Sequence, residues 1–109
     1  MSVDHGIPTG TLQQITDVLA QFPEVDQAIL FGSRAKGTHR RVSDIDLALV
    51  GHALDRQTIG RIDAAFDDLP TPYGFSLVII DERLAADVAA HIRRVGIPLF
   101  RRHAVLVPV

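Results

Sequence analysis

Apolar residues recur along the chain with two alternating periods. Leu12, Ile15, Val18, Leu19 and Phe22 fall at helical spacing from Thr11 to Phe22, and Pro23 stops the pattern. Val25 to Phe31 then turns apolar through Ala28-Ile29-Leu30-Phe31 and ends at Gly32, which predicts a buried strand. A polar, glycine-marked stretch from Ser33 to Ser43 follows, as a short helix or a loop. Asp44 to Val50 first alternates charged and apolar residues and then becomes wholly apolar, as a strand entering a core does. Ile59, Ile62, Ala65, Phe66 and Leu69 predict a second amphipathic helix, ended by Pro70 and Pro72, and Tyr73 to Ile80 a third strand. Ala85, Val88, Ala89, Ile92 and Val95 predict another long helix with Gly96 as its C-cap, and Ile97 to Phe100 a short fourth strand. Helices and strands alternating in this order point to an α/β (α+β) domain built on a small sheet of about four strands.

Composition narrows the class without naming a chemistry. With 109 residues, 47% apolar and 22% charged, the chain is sized for a single domain over residues 1–109, its core at about 10–102. The absence of cysteine excludes a disulfide framework, thiolate-bound zinc and a thiol nucleophile. Apolar runs such as Leu77–Ile80 are strand-sized, far below the ~20 residues of a membrane span. Met1 to Gly6 lacks the basic start and apolar run of a secretory signal, so the expected compartment is the cytoplasm.

A net charge of −2 hides two basic clusters, Arg34, Lys36, Arg40 and Arg41, and then Arg93, Arg94, Arg101 and Arg102. Either alone reads as solvated surface, and Arg93 and Arg94 suit the negative end of a helix dipole. The second cluster, continued by His103, also offers a surface for phosphate or a partner. Nothing in the overall charge favours direct nucleic-acid binding. The apolar segment Ala104 to Val109 fits a sheet edge or another subunit, which favours an oligomer.

Chemistry concentrates between Gly32 and Asp46. Residues two apart on a strand project to one face about 6.6 Å apart, so Asp44 and Asp46 share a side while Ile45 and Leu47 point away. Two carboxylates so placed repel each other unless a cation sits between them, and an all-oxygen pair suits Mg²⁺ completed by phosphate and water. An exposed edge strand with two solvated acids would show the same pair, so the neighbouring residues decide. Gly32 lets a ligand approach the backbone, Ser33 is a candidate N-cap of a short helix, and Arg34 and Lys36 add positive charge. Gly32 and Gly37 have the spacing of a P-loop, yet Thr38 and His39 stand where Lys and Ser/Thr are required. The histidines at 5, 39, 52, 91 and 103 show no metal-ligand spacing, and His91 reads as structural.

Leu30-Phe31-Gly32-Ser33-Arg34-Ala35-Lys36-Gly37, followed by Ser43-Asp44-Ile45-Asp46-Leu47, resembles the signature of the minimal nucleotidyltransferases of the DNA polymerase beta-like superfamily. The likeness runs over about residues 10 to 102. It implies a small mixed sheet with helices mainly on one face. It also implies that Gly32 and Ser33, with Arg34 and Ser43, hold the phosphates of an NTP, with ATP the expected one. Asp44 and Asp46 would then be the catalytic and Mg²⁺-binding carboxylates. The reaction implied is transfer of a nucleoside monophosphate to an acceptor hydroxyl with release of pyrophosphate.

One position departs from the family pattern, which has a third carboxylate on the next strand. Here the segment reads Phe75-Ser76-Leu77-Val78, and Ser76 stands at the acidic position. A neutral serine is a weak metal ligand and a poor base. Asp81, about 16 Å further along an extended strand, is out of reach and reads as the N-cap of the next helix. The resemblance also implies a helical HEPN-type protein as partner, neutralised by AMP transfer or by binding alone. A chain of this length carries no second domain for an acceptor, so the acceptor is expected in trans. Two functions therefore stay open: an enzyme that AMPylates its partner, and a catalytically impaired binding subunit.

Overall fold

The computed structural model describes residues 5–40 and 43–102. In chain order the elements are α1 (Thr9–Ala20), β1 (Gln27–Phe31), α2 (Gly32–Lys36), β2 (Ile45–Val50), α3 (Arg56–Asp67), β3 (Phe75–Ile79), α4 (Ala86–Val95) and β4 (Ile97–Arg101). The strands form one mixed sheet in the order β3-β2-β1-β4, in which β1 is antiparallel to both β2 and β4 and β2 is parallel to β3. Arg41 of the first basic cluster, His103 and the apolar segment 104–109 lie outside the described residues.

Strand alternation sorts the side chains between two faces. Ala28 and Leu30 of β1 and Ile45, Leu47 and Leu49 of β2 are buried to nothing in the core. They meet Ile15 and Leu19 of α1 and Ile62 and Phe66 of α3, whose Phe66 ring stacks on Phe75 of β3 at 4.6 Å. Asp55 starts α3, its carboxylate accepting a 2.8 Å hydrogen bond from Thr58 N. On the opposite face α4 packs against β1 and α2. A Cβ on Gly96 would lie 2.7 Å from Ile29 Cγ2, so glycine lets the helix end approach the strand that closely. Gly96 stands at the predicted C-cap but in extended backbone, φ −60° and ψ 139°, and its lack of a side chain serves packing, not a left-handed turn.

The far end of the sheet is closed by a cation. Arg102 donates to the carbonyls of Leu19 (3.0 Å), Phe22 (2.8 Å) and Val25 (2.9 Å), capping the last turn of α1. The second basic cluster is thus divided: Arg102 is a structural cap, while Arg93, Arg94 and Arg101 are exposed. Among the described residues no helix is long and apolar enough to cross a membrane.

Candidate functional site

β1 turns directly into α2 at Gly32, which has φ +75°. A side chain is strained in that region, and here it would also run into Oδ2 of Asp46, the cross-strand partner of Phe31. The second carboxylate repeats the arrangement, since a Cβ on Gly74 would lie 2.7 Å from Asp44 Oδ1. Each acid occupies room that a glycine leaves. Asp44 is exposed just before β2 and Asp46 is half-buried on the face opposite the core.

Burial first, and then the neighbouring charge of Asp44, push the Asp46 carboxyl above its ordinary 3.8, with His91 and Arg34 offsetting part of the rise. A cation beside the pair would relieve both effects. Among the described residues no three His, Cys, Asp or Glu side chains converge as a metal cluster. The donor set therefore fits a hard divalent ion held by two carboxylates, with phosphate oxygens and water as its other ligands.

Ser33 sits inside the first turn of α2, and the N-cap position expected for it belongs to Phe31. The helix starts two residues earlier than expected, at Gly32, where the chain makes the sharp bend. Ser33 accepts Thr38 N through its carbonyl at 2.9 Å, and its hydroxyl has no hydrogen-bond partner among the described residues. Arg34, expected beside the phosphates, is only 1% exposed. Its Nε and Nη2 donate to the Ser43 carbonyl at 3.1 and 2.9 Å, its Nη1 donates to the His5 carbonyl at 2.8 Å, and it stacks over Tyr73 at 4.9 Å. The guanidinium is built into the scaffold and fixes the backbone one residue before Asp44. Ser43 uses its hydroxyl to accept Arg40 N at 2.8 Å, so its side chain shapes the loop.

Ser76 pairs in parallel register with Asp46, exposed on the next strand. The residue at the expected third-carboxylate position is thus adjacent to the acid pair. Asp81 lies beyond β3, where its carboxylate accepts Arg83 N at 2.9 Å. It closes the 81–84 turn, and α4 begins only at Ala86 with Ala85 as N-cap.

His91, read from the sequence as structural, reaches the site. Its Nε2 accepts a 3.0 Å hydrogen bond from Gly32 N, and its ring meets Phe31 edge-on at 6.1 Å. The available signal was its position three residues after Val88 on the apolar stripe of α4, which marks an inward-facing residue without saying what it meets.

Residues 13–104 match the family model described as polymerase beta, nucleotidyltransferase. A toxin–antitoxin crystallised with AMP-PNP superposes with a TM-score of 0.65 at 23% identity, covering 84% of this chain and 74% of that one. The MntA–HepT toxin–antitoxin gives 0.58 at 19% identity, over 86% of this chain and 73% of its own. A tri-AMPylated HEPN toxin from Shewanella oneidensis in complex with MNT antitoxin gives 0.52 at 18%, over 83% and 72%. These similarities show a shared fold. No curated protein matches the sequence.

Proposed function

The chain belongs to the polymerase beta nucleotidyltransferase family, and from that premise we propose that it is an antitoxin-type nucleotidyltransferase acting in the cytoplasm on a helical HEPN-type partner. It binds an NTP, ATP first, with Mg²⁺, and passes AMP to a partner hydroxyl. The observation that carries this reading is the acid pair: Asp44 and Asp46 lie against Gly74 and Gly32, and Gly32 opens the turn bearing Ser33. The similarity to a toxin–antitoxin solved with AMP-PNP and to a complex holding an AMPylated HEPN toxin supports the nucleotide and the partner class.

Asp44 and Asp46 would hold Mg²⁺, which supplies neutralisation of phosphate charge when bound. The Gly32–Ser33 turn leaves the backbone open to the triphosphate, and the Ser33 hydroxyl donates to a phosphate oxygen. Arg34 holds the Ser43 carbonyl and through it the start of β2, so that Asp44 keeps its place. The acceptor hydroxyl gives up its proton to solvent water, its oxygen bonds to the α-phosphorus, the bond from that phosphorus to the bridging oxygen breaks, and pyrophosphate leaves with that oxygen.

Ser76 favours a second reading. In register with Asp46, it offers no negative charge and no competent base, which suits a subunit that binds nucleotide and partner without turnover. Incubation with labelled ATP, Mg²⁺ and a co-purifying helical partner separates the two. A partner heavier by AMP, with Asp46→Asn abolishing the transfer, supports the enzyme, and Ser76→Asp should then raise the rate. A stable complex without a mass change supports the binding subunit, and failure of the wild type to bind nucleotide overturns both.

A further inference from the structure

The N–H of Gly32 stands where neither sheet nor helix provides for it. β1 ends at Phe31, and an amide in the first turn of a helix has no intrahelical acceptor. It is satisfied by a side chain 59 positions later, His91 Nε2 at 3.0 Å. Gly32 needs such restraint because its positive φ is held by no side chain of its own, while its Cα borders the Asp46 carboxylate. Two further contacts tie His91 and the end of its helix to β1. The ring packs edge-on against Phe31, and Gly96 brings the helix end down onto Ile29 of the same strand.

Resting on the nucleotide reading above, we infer that His91 is a positioning residue of the nucleotide site: its imidazole nitrogen holds the Gly32 amide and so sets the turn against the acid pair. The imidazole must be in the tautomer that leaves Nε2 as an acceptor. It touches the turn and not the triphosphate, so its effect falls on affinity through the geometry of Gly32 and Ser33. Phenylalanine at 91 keeps the ring and its contact with Phe31 but offers no acceptor. Glutamine carries a carbonyl oxygen at the reach of Nε2.

The test is calorimetric titration of wild type, His91→Phe and His91→Gln with AMP-PNP and Mg²⁺, at a temperature where circular dichroism shows each fully folded. An amide left without its partner corresponds to a loss of about tenfold in affinity. The expected result is that loss in His91→Phe, with His91→Gln within about threefold of wild type. Wild-type affinity in His91→Phe overturns the inference. So does tighter binding, which would make the imidazole a competitor for the amide, and so does equal weakening in both variants, which would reduce His91 to packing. A wild type that binds no nucleotide overturns the underlying function instead.

Discussion

Lysine at position 34 would keep the positive charge of Arg34 and lose its fork. The guanidinium serves two carbonyls on opposite sides, Ser43 through Nε and Nη2 and His5 through Nη1. An ammonium on a flexible stem reaches one of them, leaving the other without its donor. The lost charge-assisted bond is worth roughly 1.5–3 kcal/mol, and the weakened stack over Tyr73 about 0.5–1 kcal/mol. The sum for Arg34→Lys is a destabilisation of about 2–4 kcal/mol, a large share of the 5–15 kcal/mol that typically holds a domain folded. Urea unfolding followed by circular dichroism measures it, and a thermal midpoint lower by about 10–20 °C should accompany it. Nucleotide affinity should fall as well, because release of the Ser43 carbonyl loosens the backbone that leads into Asp44. A loss below about 1 kcal/mol would refute the reasoning, since a single donor would then do the work of the fork.

Asp46 carries a pH prediction. Its proton affinity is raised in the fold, so its ionisation costs stability, and that cost sets in as pH rises through the elevated pKa. Asp46→Asn should therefore raise the melting temperature of the metal-free protein at pH 7, lose that advantage below the ordinary value of 3.8, and lose Mg²⁺-dependent nucleotide binding. Equal melting temperatures at pH 7 would count against the burial argument. Gly32→Ala places a Cβ against the Asp46 carboxylate at positive φ, and should cost at least about 1–2 kcal/mol in urea while nucleotide titration shows binding lost. Arg102→Ala unseals the end of α1 and should cost about 2–3 kcal/mol, yet leave nucleotide affinity unchanged because none of its contacts lies at the turn or the acid pair.

Period and punctuation made the elements legible. Ala28 and Leu30, or Ile45, Leu47 and Leu49, announce their strands because one face of each is buried, and Gly32-Ser33 with Asp44 and Asp46 is local enough to show as a motif. What stayed hidden depends on contacts distant along the chain. Charge is visible in a sequence but burial is not, so Arg34 read as a phosphate contact when its donors serve the carbonyls of His5 and Ser43. Arg102 looked like surface for the same reason. Ser33 and Asp81 carry the chemistry of helix caps, but the glycine bend at 32 and the turn at 81–84 moved the helix starts away from them. His91 stands 59 positions from Gly32 in the chain, a contact that no local pattern announces.

The Arg102 cap also sets an order of events during synthesis. The carbonyls of Leu19, Phe22 and Val25 emerge from the ribosome long before their donor does, and β1 shows one bare edge until β4 arrives to pair with it. Until then the nascent chain has a helix with an open end and a central strand with a free flank, the features that invite association with other chains. Closure of so long a loop is slow compared with the pairing of β1 with β2. Pairing of β4 covers the flank of β1, so a chain ending at Arg101 should keep the four-stranded sheet and lose only the cap, and proteolysis should find it more readily than the full chain at the end of α1.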